Sequence, residues 1–122
     1  MDTLSNQDVI ERLGQILKEC KRRSREVEVL VNECYGGFSL SEAVGKAYLA
    51  ETDVEEDEFY SGSSDVAFRT DKRLIDIVRR AGLENSGGRS ADLSITTVQV
   101  PLGWSVHIRE CEGGEWVEVY LD

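Results

Sequence analysis

The chain has 122 residues with a single proline, and 40% of them are apolar and 31% charged, which is the make-up of one globular domain rather than of a disordered or fibrous chain. Its 24 acidic against 14 basic residues give a net charge of −10, which favours solubility and works against binding nucleic acid or an anionic membrane surface. No apolar run approaches the ~20 residues of a membrane span, and "MDTLSNQDVIERLG" lacks the basic and apolar regions of a signal peptide, so a cytoplasmic or nuclear protein is expected.

The first predicted element is a helix over 4–23, because Val9, Ile10, Leu13, Ile16, Leu17 and Cys20 recur at helical spacing on one face. Ser5 is its expected N-cap, Leu4 its hydrophobic staple, and Lys21, Arg22 and Arg23 sit where cations offset the helix dipole. "EVEVLVN" then alternates Val27, Val29 and Val31 against Glu26 and Glu28, the period of a strand with one buried face. After "ECYGGFSLSEAV", a second helix carries Leu40, Ala43, Val44, Ala47 and Tyr48, with Ser39 and Glu42 spaced as a capping box. Residues 51–65 are acidic, then rich in serine and glycine, and read as an exposed loop. A third helix follows, capped by Thr70, with Leu74, Ile75, Val78 and Ala81 inward and Gly82 as its stop. The last third, "DLSITTVQV", "WSVHIREC" and "WVEVYLD" joined by "PLG" and "EGGE", reads as a three-stranded meander in which Trp104, Val106 and Ile108 share a face. These elements predict one α+β domain over 1–122, with about three helices on one side of a mostly antiparallel sheet made of the early strand and the meander.

Three places invite chemistry. Cys34 ends the first strand just before a helix, where a thiol is activated, and His107, the only histidine, would be its base; no third orienting residue is identifiable. Tyr35, Gly36, Gly37, Phe38 and Ser39 form a glycine turn that could present backbone N–H groups to a small ligand or nucleotide phosphate. Against this, the Ser39–Glu42 box would occupy the same N–H groups, and no lysine follows the glycines as in a nucleotide loop. A strand-to-helix turn needs no ligand, and that reading is preferred. Finally, Glu55, Glu56, Asp57 and Glu58 beside Phe59 and Tyr60 resemble an aromatic anchor ringed by acids, suited to a protein partner with a basic surface. Cys20, Cys34 and Cys111 are too few and too scattered for a disulfide framework or a zinc finger, and no metal or cofactor is expected. The bases clustered in 18–25 and 69–80 fall near helix ends and carry no interleaved aromatics of the kind that stack on bases.

"CYGGFSLS" at 34–41, "RTDKRLIDIV" at 69–78 and "IRECEGGEWVE" at 108–118 resemble, in order, three blocks of a group of small uncharacterised proteins found mainly in large DNA viruses, phages and some microbes. The group has no established activity, so the resemblance implies an intact domain rather than a reaction. The leading expectation is therefore an acidic protein-interaction module without catalytic activity, able to form a homodimer through a sheet edge. A small-ligand binder at Gly36–Ser39 comes second and a Cys34-dependent enzyme third.

Overall fold

The computed structural model describes residues 6–22 and 24–121, and the fold is α+β. Helix α1 (Asn6–Arg22) leads into strand β1 (Arg25–Asn32), and five helices follow: α2 (Glu42–Glu51), α3 (Glu56–Gly62), α4 (Val66–Arg69), α5 (Lys72–Ala81) and α6 (Leu83–Ser86). Strands β2 (Leu93–Val100), β3 (Trp104–Cys111) and β4 (Gly114–Leu121) complete the chain. The expected Ser5 cap, the Leu4 staple and Arg23 lie outside the described residues.

The strands form two antiparallel ribbons, β1 with β2 and β3 with β4, in place of the expected continuous sheet. The reason lies in "PLG". Trp104 N donates to Pro101 O at 3.0 Å and Gly103 has φ +84°, the geometry of a type II turn, whose twist splays flanking strands instead of pairing them. "CEGG" does the opposite. Glu112 and Gly113 both take positive φ, 53° and 92°, which makes a two-residue type I′ turn matched to hairpin twist. In the resulting hairpin Trp104 lies opposite Leu121, Val106 opposite Val119 and Ile108 opposite Val117, so the expected shared face is present as cross-strand pairs.

The main core lies between the β1–β2 ribbon and the helices, where Leu30 and Leu93 pack with Val44, Tyr48, Phe59, Leu74, Ile77 and Val78. Val29 and Val31 point to the other face of β1, so Val29, Leu30, Val31 and Asn32 are buried in succession, while Arg25 and Glu26 are both exposed and Val27 and Glu28 both half-buried, and the period-two pattern of the sequence does not appear as alternating burial. The 51–65 segment is not a loop. It carries α3, whose Phe59 is buried against Tyr48 at 4.9 Å and Phe68 at 5.5 Å between ring centroids. The acids Glu56, Asp57 and Glu58 occupy the first turn of α3, where negative charge complements the helix dipole.

Both predicted caps shift. Ser39 and Leu40 are drawn into a bridge with Gly87 and Gly88, so α2 starts later and Ser41 caps it by accepting from Val44 N at 3.3 Å, while Glu42 pairs with Lys46. In α5 the cap is Asp71, which accepts from Arg73 N at 2.9 Å; Thr70 instead donates to Val66 O. Asp71 also accepts from Tyr48 Oη at 2.6 Å and from the Arg73 guanidinium. Burial pushes the Asp71 carboxyl upward, but hydrogen bonds from Arg73 and Tyr48 outweigh it and hold the group below the usual carboxylate range. Burial, with the bond to Asp71, pushes the Tyr48 phenol up to about 12. A depressed carboxyl stabilises the fold above its unfolded pKa, and that stability is lost as pH falls through its folded pKa. Asp71→Asn keeps a capping oxygen and removes the charge. It is expected to lower stability by about 1 kcal/mol near neutral pH. The gap to the wild type should close as pH falls through the depressed folded pKa of Asp71, read by urea denaturation at neutral and at strongly acidic pH.

Candidate functional site

The "CYGGF" turn sits where three loops meet, and one side chain joins them. Asn32, fully buried at the end of β1, donates through Nδ2 to Cys34 O at 2.7 Å and to Gly113 O at 2.8 Å, and accepts through Oδ1 from Asp92 N at 2.8 Å. The glycines are needed because the loops touch backbone to backbone. A Cβ on Gly36 would overlap Ser90 O, and one on Gly113 would overlap Tyr35 O. Gly37 has φ +82°, a conformation that side chains resist. Gly36 and Gly113 thus meet neighbouring loops, and the start of α2 is closed by Ser41. Tyr35 projects from this knot, 80% exposed.

Beneath the turn lies a buried ion pair. Arg69 and Glu115, whose side chains are 2% and 9% exposed, make a two-bonded fork at 2.8 and 2.9 Å. Arg69 also donates to Leu30 O at 3.0 Å, and Glu115 also accepts from Asn32 N at 2.8 Å. Both backbone groups lie on the edge of β1 that faces away from β2. The pair therefore stands in for a third strand, with the guanidinium as donor and the carboxylate as acceptor. The guanidinium is stacked over the Phe38 ring, 3.3 Å from its centroid, which fixes the last aromatic of the turn.

The Cys34 thiol, half-buried, has Asn32 Oδ1 and Ser90 O as its hydrogen-bond acceptors. His107 stacks on Tyr120 at 5.0 Å and lies opposite Glu118 on the hairpin. It lies four positions from Cys111, the end of β3 that adjoins the knot, roughly 14 Å along a strand. The structure thus does not bring Cys34 and His107 together. No group of three or more His, Cys, Asp or Glu able to hold a metal ion occurs among the described residues.

The acidic surface candidate is divided. Glu55, Glu56, Asp57, Glu58 and Tyr60 are exposed, but Phe59 belongs to the core and cannot anchor a partner. The bases of 69–80 are mostly engaged within the chain. Arg69 pairs with Glu115, Arg73 with Asp71, Arg79 with Glu28 and Arg80 with Glu51.

One feature has no signal in the sequence, and a second is read there with a different fate. The first is a cavity of about 690 Å³ between the start of β1, α4, the start of α5 and β3, rimmed by Arg25, Glu26, Glu28 and Lys72. Its rim mixes both charge signs, unlike the mainly apolar lining that grips small ligands, and it is remote from Gly36 and Ser39. The other is α1. Val9, Ile10, Leu13 and Ile16 are 42%, 62%, 55% and 56% exposed, and no other element builds a packed interface on this helix among the described residues. The periodicity identified this stripe but assigned it to the domain's own core. The side chains of Leu17 and Cys20, placed on the same stripe by sequence, lie outside the description. A smaller apolar group, Leu102, Trp104 and Leu121, is exposed at the open end of the hairpin. No helix among the described residues is long and apolar enough to cross a membrane. Comparison with family models, curated proteins and solved structures finds no match to this chain.

Proposed function

We propose that this chain is a protein-interaction module that acts by contact rather than by chemistry, and that the apolar face of α1 is its principal contact surface. The observation that carries the reading is the stripe itself. Four large aliphatic residues on one face of a 17-residue helix stay in water, although burying each would stabilise the fold by roughly 1.5–3 kcal/mol. Contiguous exposed apolar surface of this kind marks protein contacts. The net charge of −10 and the internal pairing of Arg69, Arg73, Arg79 and Arg80 support a protein partner over nucleic acid.

A photo-crosslinking residue at Ile16, in protein expressed in its own host, is expected to give discrete protein adducts. The same probe at Gln15, on the opposite face of α1, is expected to give few. Adding Val9→Glu should abolish the Ile16 adducts while the far-ultraviolet spectrum stays unchanged. Equal adducts from Ile16 and Gln15, or adducts indifferent to Val9→Glu, would refute the assignment of the surface.

A further inference from the structure

We infer that the partner of the α1 stripe is α1 of a second copy of this chain, the two helices running antiparallel. This rests on the reading of α1 as the contact surface and adds the identity of what covers it.

Spacing is the first argument. Val9, Leu13, Ile16 and Cys20 are separated by four, three and four residues, the alternation that keeps a seam facing one partner helix. Read backwards, the series is the same. Two antiparallel copies can therefore set Leu13 against Ile16 and Val9 against Cys20, about a two-fold axis between Gly14 and Gln15. One patch then meets itself, as a closed two-fold interface requires.

Charge is the second. Before that axis Asp8, Glu11 and Arg12 sum to −1; after it Lys18, Glu19, Lys21 and Arg22 sum to +2. An antiparallel pair sets each acidic half beside a basic half and opposes the helix dipoles favourably, whereas a parallel pair would crowd the two basic ends together.

The third concerns the rest of the molecule. Each domain follows the C-terminal end of its α1, and each chain carries −10. Antiparallel pairing puts the two acidic bodies at opposite ends of a helix pair about 25 Å long, which limits both their collision and their repulsion. The seam is short, so the dimer is a weak one that forms and dissociates with concentration.

Sedimentation equilibrium of the full chain, reduced, from low micromolar to several hundred micromolar is expected to show a monomer–dimer equilibrium. Leu13→Glu, at a site already exposed, leaves the monomer folded and should weaken the dimer about tenfold or more. For orientation, Val9→Cys under mild oxidation is expected to crosslink to Cys20 of the other copy, mapped by proteolysis, while the wild type gives no Cys20–Cys20 link. The inference is overturned by a chain that stays monomeric throughout, by a dimer indifferent to Leu13→Glu, or by a Cys20–Cys20 link. A monomeric chain whose Ile16 probe still captures a different protein would overturn the self-pairing alone and leave the interaction-module reading standing.

Discussion

Glu115→Gln and Arg69→Met are each expected to destabilise the fold by about 3–5 kcal/mol, a large share of the roughly 5–15 kcal/mol that holds a domain together. Removing one partner of a buried pair strands the other's charge, and here each partner also serves β1: Arg69 holds Leu30 O and Glu115 holds Asn32 N. That second duty separates this pair from buried ion pairs that can be exchanged for apolar residues at little cost. The double variant Arg69→Met/Glu115→Leu should therefore recover little of the loss, since it leaves a buried carbonyl and a buried N–H unsatisfied. Urea denaturation of the two single variants and the double decides this. A double variant close to wild-type stability would show that the β1 edge finds other partners. Arg69→Lys should also be costly, because an ammonium cannot span Glu115 and Leu30 as a fork while stacking on Phe38.

Asn32 carries the second large effect. Asn32→Ala removes the partners of Cys34 O, Gly113 O and Asp92 N together, and with about 1–3 kcal/mol for each buried group left unsatisfied, a loss of at least about 3 kcal/mol is expected. Asn32→Asp is the sharper experiment because it preserves shape. It places a carboxylate oxygen where the amide N–H₂ met two carbonyls, so attraction becomes repulsion. The buried acid then has a raised pKa; the penalty is greatest above that folded pKa and shrinks as pH falls and the acid regains a donor. A stability deficit that narrows on acidification, opposite in chemistry to the loss of Asp71 yet alike in direction, is the expected signature. An Asn32→Asp protein as stable as the wild type at neutral pH would mean that the three loops do not depend on this amide.

Much of this architecture is legible in the sequence. The hairpin partners of Trp104, Val106 and Ile108, the buried Leu74, Ile75 and Val78 of α5 and its Gly82 stop follow from local periodicity and turn chemistry, which depend on neighbours in sequence, whereas Ala81, expected on the same inward face, is exposed and Ile77 is buried instead. What could not be read depends on neighbours in space. Arg69 looks like one more base in "RTDKRLIDIVRR", and nothing local marks it as the one that goes inside; its partner lies 46 residues away. Phe59 was masked by the acids around it, which serve the first turn of α3 and say nothing about the face that turns inward. Leu30 breaks the valine alternation because β1 is covered on both sides, and a two-residue period reports only one. The α1 stripe shows the converse limit, since an amphipathic helix declares that it needs a partner without saying which.

The knot around Asn32 has a consequence for how such a chain can change by descent. Adding or deleting one residue within 33–37, 88–92 or 112–113 would carry a carbonyl or N–H off the amide or drive one loop through another. Length should therefore be invariant in these three spans wherever the fold is inherited, while their exposed side chains, Tyr35 included, are free to drift. The turn at 101–103 answers to no such constraint, for the space around Gly103 is open. Insertions gathered at that turn, and absent from the three spans, are the pattern that relatives of this chain should carry.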